Sequence, residues 1–297
     1  MEHIAAGSKT QPLERGKHDL YPFIDATRAL KNSAKDKVVL VTGGSRSIGR
    51  SIARHFALAG AKNVIISARN QVSLDEAKAS IEKESPQCQV LAVVADMTDA
   101  RSVQQLYDDL PGTPDVIVNN VGAAACQERI FDSKIDLWWS DWELNVKACY
   151  LSSRAYLHAL AGKKGVILNV SSSVSDLTNP GLSSYASAKT AINRLTEFIH
   201  LGMVASEAWE RGILETGMGE KAPDYFKPFL YDTLGLAGGT AVYLSTPRAS
   251  FLDGRFIFAN YDMEQLETLK DEILEKDLLK QRIQFGDNLR SAVVPPS

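Results

Sequence analysis

The chain has 297 residues, 44% of them hydrophobic, which is enough for the core of one large α/β domain or two small ones; a single domain is the simpler reading. Its net charge of -3, with 33 Lys and Arg scattered among 36 Asp and Glu, leaves no basic stripe for nucleic acid. Three separated cysteines, a polar start and no apolar run near the roughly 20 residues that cross a bilayer argue against a disulfide scaffold, a secreted precursor and a membrane protein.

The expectation is therefore a soluble cytoplasmic protein with reduced thiols. Cys88, Cys126 and Cys149 lack the close pairs of zinc sites, and His55, His158 and His200 share no ligand spacing, so no metal is expected. Residues 1–35 mix charges, contain Pro12 and Pro22 and hold one apolar cluster, Leu20-Tyr21-Pro22-Phe23-Ile24. They read as an N-terminal arm whose cluster docks on a main domain of residues 36–262.

From Lys37 the pattern runs strand, glycine turn, helix, strand. Val38-Val39-Leu40-Val41 is a buried run, residues 47–59 have helical periodicity, and Val64-Ile65-Ile66 is a second run. Further runs at Val90–Val94, Val116–Val118 and Val166–Val170 alternate with helical stretches at 72–84, 99–109 and 136–160. This alternation predicts an α/β fold, one doubly wound parallel sheet with helices on both faces. Ser184 to about His200 predicts another helix, and residues 262–284 a charged amphipathic one, followed by a tail to residue 297.

Thr42-Gly43-Gly44-Ser45-Arg46-Ser47-Ile48-Gly49 closes the first strand and opens the first helix, where backbone N–H groups and the helix dipole can hold a pyrophosphate. Gly43, Ser45, Arg46, Ile48 and Gly49 are the candidate contacts. An acidic residue at the end of the second strand would accept from a ribose 2′-hydroxyl and repel a 2′-phosphate. That strand ends instead in Ser67-Ala68-Arg69, and Arg69 with Arg46 could pair with the phosphate, which favours NADP over NAD.

Tyr185-Ala-Ser-Ala-Lys189 places a phenol and an ammonium four residues apart on one helix face, with Ser172 thirteen residues upstream. An ordinary phenol titrates near 10, and a neighbouring cation lowers that value towards working pH. Acid, tuning cation and carbonyl-polarising hydroxyl together outline a hydride-transfer site.

With these residues in hand, the chain resembles the short-chain dehydrogenase/reductase family from about Lys37 to Asn260, which implies a Rossmann-like sheet. Ser47 stands where the family's middle glycine is usual. The resemblance assigns Asp96 to adenine, and aligns Asn119-Asn120-Val121-Gly122 with the family's Asn-Asn-Ala-Gly, adding Asn120 and Gly122 to the cofactor contacts. It assigns Asn145 to a proton-relay water, and Ser172, Tyr185 and Lys189 to catalysis, with Tyr185 and Lys189 also touching the cofactor. The Tyr21–Asp25 and Gly254–Asp262 segments look like fungal members.

The departure lies after the catalytic helix. Arg211-Gly212-Ile213-Leu214-Glu215-Thr216-Gly217-Met218 fits a family motif that contacts the nicotinamide through Leu214 and Thr216, except that the proline is missing. Residues 200–210 lack the β-branched run of a central sixth strand, so something is expected to replace it; a divergent variant and a mistaken exon boundary both fit.

The implied activity is NADP(H)-dependent reduction of a carbonyl or oxidation of a secondary alcohol, on a small, apolar ketone or alcohol under a lid of Phe226, Phe229, Leu230 and Tyr231. A cofactor-binding protein without turnover and a non-redox dehydratase or lyase are the alternatives. Trp138, Trp139 and Trp142 read as packing or subunit contact. The two long helices suggest a homo-oligomer, with no nucleic acid or membrane partner.

Overall fold

The computed structural model describes residues 15–201, 205–209 and 232–282, and among them seven strands form one sheet in the order β3-β2-β1-β4-β5-β6-β7. The strands are β1 (Val38–Thr42), β2 (Asn63–Ala68), β3 (Gln89–Val94), β4 (Val116–Asn119), β5 (Val166–Val170), β6 (Ala205–Trp209) and β7 (Arg255–Phe256). Every pairing is parallel, so each crossover carries helix: α1 (Ser47–Leu58), α2 (Gln71–Glu84), α3 (Ala100–Asp108), α4 (Ile135–Trp142), α5 (Ala148–Leu160) and α6 (Ser183–Leu201).

Strand alternation sorts the core into two layers. Val39, Val41, Val64, Ile66, Val116 and Val118 face one cluster with Ile52, Phe56 and Tyr243, while Leu40, Ile65, Ile117 and Ile167 face the other with Val103, Leu106, Tyr156 and Ile199. Both faces are apolar, which is why the strands read as continuous runs in the sequence. Strand order reverses between β1 and β4, and a crevice opens there at the carboxyl ends.

Three expectations are corrected. The strand that composition argued against is present as backbone: Ala205–Trp209 pairs with β5, and Glu207 and Ala208 pair with Arg255 and Phe256, although its sequence stays unlike its apolar neighbours. Pairing follows from the open edge that β5 offers more than from intrinsic β-propensity. Residues 136–160 are not one α-helix, because a π-helical segment, Glu143–Lys147, separates α4 from α5. The C-terminal helix is two short ones, α8 (Met263–Thr268) and α9 (Lys270–Glu275), parted at Leu269. Met263, Leu266 and Ile273 all reach the same core across that break, so the periodicity survives it.

A further helix, α7 (Leu234–Leu244), packs on α1 and is buried on nearly every side. The arm docks through the expected cluster: Ile24 is buried, and Leu20, Tyr21 and Phe23 pack on the core. It ties down both later parts of the chain. Lys17 bonds the Asn260 carbonyl and pairs with Asp262, His18 pairs with Asp232, Thr233 Oγ1 donates to Asp19, and Tyr21 accepts the Met263 amide.

Candidate active site

The turn after β1 is held by its neighbour strand. Thr42 Oγ1 donates to the Val118 carbonyl at 3.3 Å and accepts the Asn120 amide at 3.0 Å. Asn120 Nδ2 donates to the carbonyls of Thr42 and Gly43 at 3.0 and 3.2 Å, so this side chain braces the turn. Gly43 has φ +67°, and a Cβ on Gly49 would stand 2.2 Å from the Gly43 oxygen, which makes the cradle one that only glycine leaves open. Ser47 takes φ +49°, the left-handed backbone a glycine would supply, at about 1–2 kcal/mol. No side chain of Arg46 caps α1, whose N-terminus faces the crevice.

That crevice is a cleft of about 800 Å³. Of the predicted residues, Gly43, Ser45, Arg46, Ile48, Gly49, Arg69, Asp96, Asn120, Gly122, Tyr185 and Lys189 line it together. Asp96 Oδ1 accepts the Thr98 amide and hydroxyl at 2.9 and 2.8 Å, and these bonds, then Arg69 and Lys147, hold its carboxyl below the usual range. Arg46 and Arg69 are exposed at the rim. The sequence reading missed Asn70, Ser73 and Glu76, which line the same end because α2 starts there.

Tyr185 and Lys189 lie on one face of α6, almost fully buried, with Lys189 Nζ 5.5 Å from the Tyr185 ring centre. Lys189 is anchored to the end of β5: its Nζ donates to the Val170 carbonyl at 2.8 Å, and its own carbonyl accepts Ser171 Oγ at 3.3 Å. Ser172 is buried one residue further on, its Oγ accepting the Val174 amide at 3.4 Å. Neither Ser172 nor Asn145 lines the cleft itself.

Asn145 sits in the π segment, fully buried, and its Nδ2 donates to the Ala123 and Asp141 carbonyls at 2.7 Å each. Its Oδ1 has no hydrogen-bond partner among the described residues. A Cβ on Gly122 would lie 2.5 Å from that oxygen and 3.3 Å from Lys189 Nζ, so Asn145 and Lys189 converge at Gly122. Behind them Asn119 Nδ2 bonds Asn169 Oδ1 at 2.8 Å, and Asn169 Nδ2 bonds Thr196 Oγ1 at 2.9 Å, a buried amide line joining β4, β5 and α6. Cys149 closes on the same Asn169 oxygen, and burial pushes its thiol up to about 11.

Leu214, Thr216 and the lid residues Phe226, Phe229, Leu230 and Tyr231 lie outside the described residues. Trp138 and Trp142 stack at 5.9 Å and Trp139, 57% exposed, meets both edge-on at 5.0 and 6.2 Å, while Trp138 Nε1 donates to Ser183 Oγ. Among the described residues no cluster could hold a metal ion, and no helix is long and apolar enough to cross a membrane.

A family model described as short chain dehydrogenase matches residues 37–222. The short chain dehydrogenase mpl6 of Monascus purpureus is 34% identical over 279 residues, covering 90% of this chain and 94% of that one. The short chain dehydrogenase pigC of Monascus ruber is 30% identical, covering 89% and 90%. Among solved structures, a short chain dehydrogenase from Mycobacterium smegmatis superposes with a TM-score of 0.68 at 25% identity, over 77% of this chain and 93% of that one. One from Shigella flexneri, complexed with NADP, gives 0.70 at 22% identity over 77% and 99%, a likeness of fold.

Proposed function

The chain belongs to the short-chain dehydrogenase family, and on that premise we propose that it is an NADP(H)-dependent oxidoreductase that reduces a carbonyl or oxidises a secondary alcohol. The observation that carries the reading is that Tyr185 and Lys189 line the same cleft as the glycine turn. The residues fit the cofactor: the Gly43 and Gly49 cradle admits a pyrophosphate at the start of α1, and Arg46 and Arg69 offer cations at the rim, with no carboxylate at the end of β2 itself. When bound, the nicotinamide ring supplies or takes the hydride.

Tyr185 gives or takes the alcohol proton, its phenolate form favoured by the Lys189 ammonium that the Val170 carbonyl holds beside it. Ser172 hydrogen-bonds the substrate oxygen as charge develops. Asn145 links Lys189 to water through the oxygen that no donor among the described residues fills. Leu214 and Thr216 belong to the same reading as contacts of the nicotinamide. A homo-oligomer packed on α5 and α6 also belongs to it, since Tyr150 and Phe198 are exposed there at 49% and 61%.

The test is a fluorescence titration with NADPH, followed by turnover on a panel of apolar ketones, for the native chain and Tyr185→Phe. The expected outcome is unchanged cofactor binding with turnover cut about 1,000-fold or more, general acid catalysis being worth about 10²–10⁴. Equal turnover by the Phe variant refutes the role of Tyr185. Binding without turnover across the panel favours a cofactor-binding protein, and product formation without net cofactor oxidation favours a lyase.

A further inference from the structure

Asp141 takes no part in the chemistry above, yet it is a fully buried carboxylate at the heart of the site. Its Oδ1 accepts the Ala125 amide at 2.6 Å, and its Oδ2 accepts the Cys126 amide at 3.2 Å and the Ser184 hydroxyl at 2.5 Å. Its backbone carbonyl accepts Asn145 Nδ2 at 2.7 Å, and the same amide reaches the Ala123 carbonyl at 2.7 Å. Asp141 therefore joins three pieces: the loop that continues the cleft wall beyond Gly122, the π segment that carries Asn145, and the first turn of α6. Its contact on α6 is the residue immediately before Tyr185. One position earlier, Trp138 grips Ser183, so α4 holds α6 at two consecutive serines.

Burial disfavours a carboxylate against an apolar side chain of similar size unless its hydrogen bonds are needed. Here each of the three bonds ends on a segment that forms the cleft or carries a reacting group, and none ends on remote core. An apolar residue at this place would fill the volume and leave two loop amides and a hydroxyl without an acceptor.

We propose that Asp141 is a positioning residue: by clamping Ala125, Cys126 and Ser184 together it fixes the Tyr185 phenol against the cleft wall at Gly122–Ala123. This rests on the reading of Tyr185 as the proton donor. A displacement of the order of 1 Å at a reacting group costs about 100-fold in rate, which sets the scale of the effect.

Ser184→Ala removes only the link to α6, and Asp141→Asn replaces one acceptor oxygen with a donor facing the Cys126 amide and the Ser184 hydroxyl. Each is compared with the native chain for kcat and KM on the ketone panel, for NADPH dissociation constant, and by NMR of chains labelled with 13Cζ-tyrosine, with Tyr185→Phe identifying the Tyr185 signal. Both variants should lower kcat by about 10- to 100-fold with KM and the NADPH constant within threefold. The Tyr185 signal and its pH midpoint should move while the signals of Tyr21 and Tyr243 stay in place. If Asp141→Asn does not fold, Ser184→Ala decides. A Ser184→Ala chain with native kcat and an unmoved Tyr185 signal overturns the proposal. A native chain without turnover defeats the functional reading instead, and the NMR comparison then decides alone: movement of Tyr185 supports the clamp and no movement overturns it.

Discussion

Gly49→Ala tests the proposed phosphate cradle directly. The added methyl would lie 2.2 Å from the Gly43 oxygen and 2.5 Å from Asn120 Nδ2, where contacts under 3.0 Å essentially do not occur. Neither obstacle yields cheaply, because the oxygen is backbone and Asn120 is held by two carbonyls, so the turn and α1 must part by about 1 Å. Such overpacking costs about 1–3 kcal/mol of folding stability. A pyrophosphate held by the displaced amides would lose one or two charge-assisted hydrogen bonds, about 3 kcal/mol, or roughly 100-fold in dissociation constant. The assay pairs urea unfolding with NADPH fluorescence titration, and Gly112→Ala, with nothing within 4 Å of its added methyl, is the control. If Gly49→Ala binds NADPH within threefold of the native chain, the cradle is elsewhere.

Two other perturbations follow from the same geometry. Arg69→Ala should weaken NADPH about 5- to 30-fold and NADH less than threefold, since the arginine is exposed and its ion pair partly screened; an equal loss for both nucleotides removes the assignment to a 2′-phosphate. Burial pushes the Asp253 carboxyl up to about 6 from 3.8, with Arg255 opposing, so its folding contribution is fully present below about 4 and lost as pH rises through 6. The full shift is worth about 3 kcal/mol, and about 1–2 after allowance for partial exposure. Asp253→Asn should therefore gain that much stability over the native chain at pH 8 and nothing at pH 4 in chemical denaturation; a pH-independent difference contradicts the desolvation argument.

Much of this molecule was legible in the chain itself, for identifiable reasons. Central parallel strands are buried on both faces, so β1, β2, β4 and β5 announce themselves as apolar runs, and the turn at Gly43–Gly49 is set by local backbone needs. Tyr185 and Lys189 could be paired because helix periodicity alone puts them on one face. What stayed hidden depends on partners distant in sequence. The π segment has no compositional mark, β6 is a strand because β5 and β7 flank it, and α7 looks ambiguous because it is apolar all round. Asp141 was illegible for the same reason: Ser184 lies 43 positions away, and nothing at Ser140–Trp142 signals burial of the acid between them.

The arm carries a practical lesson about where this protein can be cut. A fragment trimmed to the span matched by the family model, 37–222, would discard Ile24, Leu30 and Ala34 from one end and Met263, Leu266 and Ile273 from the other, all of them interior side chains. The two discarded ends fasten to each other through Lys17, Tyr21, Asp262 and Met263, so deleting either strands the other as bare apolar surface. The smallest piece that can stand alone is therefore wider than the span 37–222, and shorter versions should be sought as inclusion bodies before they are sought in solution.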